Sequence, residues 1–315
     1  MPTSPEIINR TAGKQYIFNR LSKDNLPDLA TLHREVYGTA RHADYFIKKY
    51  HTAYTGVENV GFIAYNEGNQ PIAYYGVIPC FLQSGNEIIL SAQSADTMTH
   101  PDHRNKGLFV ELSNRTFDLC KELSIKLIFG FPNQHSYQTF INRLGWTETE
   151  KMNRFSIQVN TAWTSFFLKP SQKRYEKIIN QLLIPGQGIA NSVIADGYIG
   201  VCRNEGYLQY KTYTATSVIK INSGYLWIKP GNELTIGDIL LTGDNHNNFI
   251  EEVKTLAKKL NVNKISFQCS GDSSLHKLFT NHCTANPSFP VIFKDFGSGL
   301  PLEKIKFTFA DIDIF

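Results

Sequence analysis

The chain of 315 residues is long enough for two domains of ordinary size, and with 42% apolar and 19% charged residues it has the composition of a folded protein. The 32 basic residues exceed the 28 acidic ones only slightly and are spread along the chain. This balance permits a phosphate-bearing ligand but gives no sign of nucleic acid binding. The five cysteines are widely spaced, which argues against a disulfide framework or a zinc site.

The first residues, "MPTSPEIINRTAGK", lack the apolar core of a signal peptide. No run of about eighteen apolar residues, the length that a membrane-spanning helix needs, occurs in the sequence. We therefore expect a cytoplasmic protein that does not enter a membrane. The sequence does not indicate the oligomeric state.

Hydrophobic periodicity predicts a regular order of elements in the first half. "KQYIFNRLS" alternates like a strand, and "KDNLPDLATLHREVYG" and "ADYFIKKYHTAY" have helical spacing, with Gly38 ending the first helix. Three strands follow, "VGFIAYNEG", "QPIAYYGVIPCFLQ" and "EIILSAQSADTMTH". The order is completed by a long helix, "KGLFVELSNRTFDLCKELS", a buried strand, "IKLIFGF", and the helix "NQHSYQTFINRL".

The stretch "HPDHRNKGLFVEL" lies where the third of these strands passes into the long helix. Free backbone N–H groups and the helix dipole make such a helix start an anion-binding position. Arg104 and Lys106 add positive charge, and Gly107 permits close approach of the backbone. We expect a phosphate to be surrounded by the amides of Asn105, Lys106, Gly107 and Leu108.

These residues resemble the signature of the Gcn5-related N-acetyltransferases (GNAT), Gln/Arg-x-x-Gly-x-Gly/Ala on a strand-loop-helix, in which Arg104 and Gly107 match. "HPDHR" resembles the family's approach to the loop, and "FGFPNQHSYQTFINRLGW" resembles its closing element. The resemblance covers about residues 15 to 150. It implies that acetyl-CoA is the acyl donor and that the loop binds its pyrophosphate.

Three positions depart from the family pattern. The last small residue of the signature is Phe109, so this helix turn must pack differently, and a frequent Gly is replaced by Asn105, which tolerates left-handed backbone angles. The position where many members carry a tyrosine as general acid is Ile141. Departing CoA therefore needs another proton donor.

The resemblance suggests roles for several further residues. Asp96 is a candidate base for the attacking amine, or else a strand-end carboxylate paired with a nearby basic residue. Tyr137 is a candidate acid, or else it covers the adenine or caps a helix, and Asn133 closes a turn or contacts the cofactor. Backbone groups at Thr97, Met98 and Thr99 are expected along the pantetheine arm.

Several other residues near the loop and on the early helices give weaker indications of function. His100 and His103 lack a third ligand at metal spacing, so no metal site is predicted. By analogy with the family, the two early helices would cover the acceptor pocket, and its possible lining is Tyr37, Tyr45, Tyr50 and Tyr54. Lys48 and Lys49 are expected on a solvated face.

The second half resembles the first with a piece missing. Tyr45 aligns with Tyr207 at an offset of 162 residues, and Cys120 aligns with Ala257 at an offset of 137 residues. The second half would therefore lack residues between these two points, which in the first half correspond to a strand and the phosphate loop. Two unrelated α/β segments could share such a pattern. We predict an α/β fold of two GNAT-like domains in tandem, each a twisted mixed sheet flanked by helices, with residues 1–165 binding acyl-CoA and residues 166–315 forming a degenerate copy that lacks the loop. The C-terminal "LEKIKFTFADIDIF" is predicted to end as a strand.

The function expected from this resemblance is N-acyl transfer, most simply of acetyl from acetyl-CoA to a small-molecule primary amine, by direct attack in a ternary complex. Two alternatives remain open. One is a non-catalytic acyl-CoA-binding or interaction protein, and the other is an aminoacyltransferase of the peptidoglycan-bridge type, which takes its acyl group from tRNA. The sequence identifies neither the amine nor the length of the acyl group.

Overall fold

The computed structural model describes residues 9–11, 14–160, 172–243 and 248–315. They divide into two compact units. The first unit takes its residues from Met1–Leu82, Ile88–Thr149 and Val291–Leu300, and the second from Gln83–Glu87, Glu150–Pro290 and Pro301–Phe315. The predicted boundary at residue 165 lies outside the described residues.

The first unit contains the predicted order of strand, two helices, three strands, long helix, strand and helix, which is confirmed. A further short strand precedes the first predicted one. The elements are β1 (Asn9–Thr11), β2 (Lys14–Arg20), α1 (Leu26–Tyr37), α2 (Ala43–Tyr50), β3 (Val60–Tyr65), β4 (Pro71–Ser84), β5 (Glu87–Thr99), α3 (Leu108–Glu122), β6 (Leu127–Gly130) and α4 (Gln134–Leu144).

Local signals fix the ends of these helices. Gly38, as predicted, ends α1 in the left-handed conformation with φ 68° and donates its N–H to Arg34 O. Asn133 begins α4 by accepting hydrogen bonds from the N–H groups of His135 and Ser136, and Gly145 ends it with φ 64°. Capping therefore places α4 directly after β6.

The sheet of the first unit leaves one strand edge open. Its strands follow in the order β1, β2, β3, β4, β5, β6. β5 and β6 are parallel but pair only from Ser91 with Leu127 to Gln93 with Phe129, after which β5 continues to Thr99 without β6. On the side of β6, no described strand pairs with β5 beyond Gln93, so this edge is open to a further strand or an extended ligand.

The core of the first unit lies between the sheet and α3 with α4. Tyr75 on β4 contacts Phe109 and Phe117 of α3 and Phe140 of α4, with ring centroids 5.7 to 6.2 Å apart. Trp146, immediately after α4, lies 4.8 Å from Phe140. This aromatic packing fixes α3 on the sheet and so positions the loop that precedes it.

The second unit is also a mixed sheet with helices. Its elements are β7 (Thr147–Gln158, from Glu150 onward), α5 (Gln172–Leu182), α6 (Ser192–Ala195), β8 (Gly200–Val201), α7 (Glu205–Tyr210), β9 (Ser217–Ile221), β10 (Gly224–Lys229), β11 (Leu234–Leu241), α8 (Phe249–Leu260), β12 (Lys264–Cys269), α9 (Ser274–Thr280) and the first residues of β13 (Asn286–Asp295). The pairing order is β7, β12, β11, β10, β9, and β11 is parallel to β12.

Each unit is completed by a strand from the other half of the chain. β7 follows α4 in sequence, yet Asn153–Gln158 pair antiparallel with β12. In return, Ile292–Asp295 of β13 pair antiparallel with β6. The sequence pattern predicted neither strand, because strand exchange leaves no local signal.

Two predictions for the second half are wrong. The strand before the long helix is not missing: β9, β10 and β11 all precede α8, and β11 corresponds to β5 because each is parallel to the strand that follows the long helix. Shorter strands account for about half of the lost residues, since β10 and β11 have 6 and 8 residues where β4 and β5 have 14 and 13. The loop from β11 to α8 includes residues 244–247, which lie outside the described residues.

The other error is the strand predicted at the end of the chain. Residues 302–315 contain the 3₁₀ turns Leu302–Lys304 and Phe309–Asp311 instead. Thr308 and Asp311 form a capping box, in which each side chain accepts a hydrogen bond from the other residue's backbone N–H. This local bonding outweighs the alternating pattern of the sequence.

Candidate active site

The loop between β5 and α3 has the backbone of an anion cradle. Pro101–His103 form a 3₁₀ turn, and Asn105 and Gly107 then take left-handed angles, with φ 60° and 76°. The expectation that Asn105 tolerates such angles is confirmed. Among the described residues, no atom accepts a hydrogen bond from the amides of Asn105, Lys106 or Gly107. Successive free N–H groups in such a turn form a concave anion site.

Basic side chains flank this cradle. Arg104 Nε lies 3.4 Å from Thr99 O, and Lys106 Nζ donates to Asp102 O at 2.7 Å. A Cβ built on Gly107 would meet no atom within 4 Å, so the space above it is open. Exposed donors, positive charge and open space together fit the pyrophosphate of an acyl-CoA.

The open edge of β5 leads from this loop toward Asp96. Met98 is buried, and Thr97 O accepts a hydrogen bond of 3.3 Å from Tyr37 OH. Thr97, Met98 and Thr99 thus lie in line with Arg104–Leu108 on one continuous stretch of backbone. These predicted cofactor residues lie close together on a strand edge that no described strand pairs with, and two of their carbonyl groups, Thr97 O and Thr99 O, already accept side-chain hydrogen bonds.

Asp96 is held by two residues of α2. Lys49 Nζ lies 2.7 Å from Asp96 Oδ2, and Tyr50 OH donates to the same oxygen at 2.9 Å. No described residue forms a hydrogen bond or ion pair with Asp96 Oδ1, and the side chain as a whole is 18% exposed. One oxygen of the carboxylate is therefore fixed, and the other has no hydrogen-bond donor among the described residues.

The prediction that Lys49 lies on a solvated face is wrong, because its side chain is only 1% exposed. The signal was present in the sequence: Phe46, Lys49 and Tyr50 follow the i, i+3, i+4 spacing of a buried helix face, and all three are buried. Lys48, its neighbour, is exposed as expected.

The backbone and the neighbouring phenols add to this cluster. Asp96 has φ 50° within a strand, a conformation that interrupts the regular alternation of β5 and is uncommon outside Gly, Asn and Asp. Burial raises the pKa of Tyr50 well above its ordinary value, and the charge of Asp96 raises it further. Tyr50 is therefore a hydrogen-bond donor to Asp96 at neutral pH.

The candidate residues on α4 have structural partners. Asn133 uses its side-chain oxygen as the helix cap. Tyr137 donates its hydroxyl hydrogen to the carboxylate of Glu148, and this hydrogen bond raises the pKa of Tyr137. Glu148 is a residue that sequence reasoning missed, because it follows the family motif. Ile141 packs against the core of the first unit and offers no proton.

Other groups near the loop are accounted for by packing. Phe109, at the position of the missing small residue, contacts Tyr75 and Phe140. His103 Nδ1 lies 3.4 Å from Tyr16 OH, and its ring lies 5.8 Å from that of His100.

Within the described residues, no group of three His, Cys, Asp or Glu side chains could hold a metal ion. In the same residues, no helix has the length and apolarity to cross a membrane.

Comparison with known proteins agrees with this geometry. Residues 18–149 match the acetyltransferase (GNAT) domain family. No curated protein matches the chain. Among solved structures, a GCN5-related N-acetyltransferase from Kribbella flavida is 10% identical with a TM-score of 0.58, covering 90% of this chain and 71% of that one.

Two further structures are similar over most of the chain. A putative acetyltransferase from Pyrococcus horikoshii is 11% identical with a TM-score of 0.58, and the match covers 93% of both chains. A conserved protein of unknown function from Enterococcus faecalis V583, described as a probable N-acyltransferase, is 12% identical with a TM-score of 0.56, covering 89% of this chain and 73% of that one. At such low identity these neighbours show the fold alone. The match to the GNAT acetyltransferase domain family, at residues 18–149, includes the cradle, the open strand edge and the helix α4.

Proposed function

We propose that the chain is an acyl-CoA-dependent N-acyltransferase that transfers acetyl from acetyl-CoA to a small-molecule primary amine. The observation that carries this proposal is the unpaired edge of β5 running into the cradle at Arg104–Leu108. Such an edge can bind the amide groups of a pantetheine arm as a neighbouring strand would, while the cradle binds the pyrophosphate. Acetyl-CoA supplies the activated acyl group.

In this proposal the residues around Asp96 orient the amine. Asp96 Oδ1 accepts a hydrogen bond from the attacking nitrogen and takes its proton, directly or through a water, as the carbon–nitrogen bond forms. Lys49 and Tyr50 fix the other carboxylate oxygen, so the base is oriented before the amine arrives. Backbone N–H groups near Met98 stabilise negative charge on the thioester oxygen.

The second proton transfer returns a hydrogen to the departing sulfur. We assign Tyr137 to this role because its raised pKa keeps the phenol protonated at neutral pH. Its hydrogen bond to Glu148 must break before the proton reaches sulfur. The carbon–sulfur bond breaks as this proton is delivered, and no covalent enzyme intermediate forms.

One observation favours a second candidate function, a non-catalytic acyl-CoA-binding protein. Ile141 occupies the position of the usual acid, and the hydrogen of Tyr137 is directed to Glu148 rather than into the cleft. Such a protein would bind acyl-CoA through the same loop and edge but would not release CoA in the presence of amines.

Calorimetric titration with acetyl-CoA and CoA tests the proposal. Gly107→Trp should abolish binding, because its side chain would fill the open space above the cradle. Gly197→Trp is the matched control: Gly197 also has a left-handed backbone, with φ +84°, and open space around it, so both variants carry a similar backbone cost of about 1–2 kcal/mol.

Binding by the wild type and by Gly197→Trp, but not by Gly107→Trp, supports the proposal. Measuring the release of CoA in the presence of a panel of primary amines then distinguishes an enzyme from a binding protein. Absence of binding by folded wild type, or equal binding by both variants, refutes the assigned site.

A further inference from the structure

The second unit has a strand cleft like that of the first. β11 and β12 pair in parallel from Leu234 with Ile265 to Ile236 with Phe267 and then separate. The pairing of β5 with β6 in the first unit likewise spans three positions. Each unit therefore has two parallel strands that part at their C-terminal ends, which is where ligands bind in sheets of this kind.

In the second unit this cleft is filled by residues 305–315, called here the closing segment. Thr308 forms an antiparallel bridge with Cys269, the last residue of β12. Ser270 N donates to Phe307 O at 2.8 Å, and Phe307 N donates to Ser270 Oγ at 3.0 Å. The turn Phe309–Asp311 packs against both β11 and β12. The segment thus hydrogen-bonds to the end of β12 and packs against β11, and so occupies the space between the two strands.

A glycine on β11 makes room for the segment. Phe315 is fully buried, and a Cβ built on Gly237 would lie 2.2 Å from its ring. No real Cβ could occupy that distance, so the ring rests directly on the backbone of β11. Trp227 of β10 contacts the same ring at 5.6 Å between centroids. The strand and the segment are complementary in shape at this point.

Buried charges hold the segment in the cleft. Arg203 contacts Asp238 of β11 at 2.6 Å and Asp311 of the segment at 2.8 Å, and all three side chains have no exposure. Asn191 also contacts Asp311 Oδ1, at 3.3 Å. Removing one partner from such a group would leave an uncompensated charge in the interior, which is strongly unfavourable.

Polar side chains of residues just after α7 hold the end of the segment by its backbone. Lys211 Nζ donates to Ile312 O at 2.7 Å, Tyr213 OH to Asp313 O at 2.9 Å, and Thr214 Oγ1 to Phe315 O at 2.7 Å. These bonds satisfy carbonyl groups that would otherwise be buried without partners. The segment is integrated into the unit along its whole length.

We propose that the closing segment is the permanent internal occupant of the cleft in the second unit, so that this unit takes no acyl-CoA and the chain binds one molecule, at the first unit. The statement about acyl-CoA rests on the proposed function. The statement about the segment does not, because it rests on contacts within the second unit alone.

A double-mutant cycle tests whether the segment is seated as described. Gly237→Ala should lower the urea midpoint of unfolding because the new methyl group meets the Phe315 ring, and Phe315→Ala should lower it by leaving a cavity. In the Phe315→Ala background, Gly237→Ala should have little further effect. Additive losses would refute the contact. Gly237 does not have a left-handed φ, so alanine adds no backbone strain of that kind.

Hydrogen exchange and CoA titration test the occupancy in the intact chain. Amides of residues 305–315 should exchange slowly with and without CoA, whereas those of residues 96–108 should become slower when CoA binds. Titration should give one CoA per chain. Two CoA per chain, or faster exchange of residues 305–315 on adding CoA, would overturn the proposal.

If no CoA binds, the proposed function fails on its own. The mutant cycle and the exchange rates of the free protein then still decide whether the segment fills the cleft.

Discussion

Lys49 Nζ lies 2.7 Å from Asp96 Oδ2. This ion pair connects a buried face of α2 to β5 at Asp96, the residue whose positive φ interrupts the regular alternation of the strand. The second unit contains a similar relationship, in which Arg203, just before α7, contacts Asp238 of β11 at 2.6 Å. In both units a basic residue near a short helix binds a carboxylate on the strand that precedes the long helix. The side chain of the first carboxylate is 18% exposed, and that of the second is fully buried.

Replacement of Lys49 tests the importance of its ion pair. Lys49→Met keeps the side-chain length but removes the charge, so Asp96 loses its closest partner. We expect a loss of about 1–3 kcal/mol in the free energy of unfolding, measured by urea denaturation. Lys48→Met is the matched control, since the exposed neighbour should change stability by less than about 0.5 kcal/mol. Equal effects of the two variants would contradict a special role for Lys49.

Glu148 should control the titration of Tyr137. The hydrogen bond to this carboxylate stabilises the protonated phenol and raises the pKa of Tyr137. Glu148→Gln removes the charge, so the pKa should fall toward its ordinary value of about 10. The measurement is the alkaline difference absorbance between each protein and the same protein carrying Tyr137→Phe. A pKa that does not move in Glu148→Gln would show that the hydrogen bond does not form in solution.

Glu252 of α8 should make the free energy of unfolding depend on pH in the acidic range. Partial burial disfavours its ionised form, but hydrogen bonds from the hydroxyl and N–H of Ser223 outweigh this, so the pKa of Glu252 is below its ordinary value. The bonds therefore stabilise the fold above about pH 4.3 and are lost as the pH falls through the lowered pKa.

Urea denaturation at several pH values checks this prediction. Wild type should exceed Glu252→Gln in unfolding free energy at pH 7, and the difference should shrink below about pH 4.3. A difference that stays constant down to pH 3 would argue against the shifted pKa.

The thiols should be unreactive, with one exception. Burial raises the pKa of Cys120 to about 12, and Cys80, Cys202 and Cys269 are also buried, whereas Cys283 is half-buried. A disulfide reagent at pH 8 should label Cys283 first and the others only after unfolding. Cys283→Ser should remove the early labelling. Rapid reaction of a second thiol in the native protein would contradict the described burial.

Local signals in the sequence predicted the parts of the fold that local interactions determine. Gly38 ends a helix because only its backbone takes the required angles without strain, and Asn105 and Gly107 shape the loop for the same reason. These residues carry their structural reason in their own chemistry. The loop and the order of elements in the first unit were therefore predictable.

The parts that sequence reasoning missed depend on distant partners. The spacing of Lys49 with Phe46 and Tyr50 indicates a buried helix face, but the partner of its charge, Asp96, lies far along the chain and only the fold brings the two together. The strand predicted at residues 302–315 gave way to a capping box and to the buried contact of Asp311 with Arg203. The alternating pattern could not reveal these contacts, because periodicity describes a face and not what covers it.

The exchange of β13 also constrains how the protein can be made. Ile292–Asp295 lie next to β6, so the sheet of the first unit receives its last strand only after these residues have left the ribosome. Until then, the outer edge of β6 is an unpaired template on the nascent chain. A gene fragment that stops after α4 would leave that edge exposed permanently, and we expect its product to aggregate unless residues 286–300 are supplied as a separate peptide.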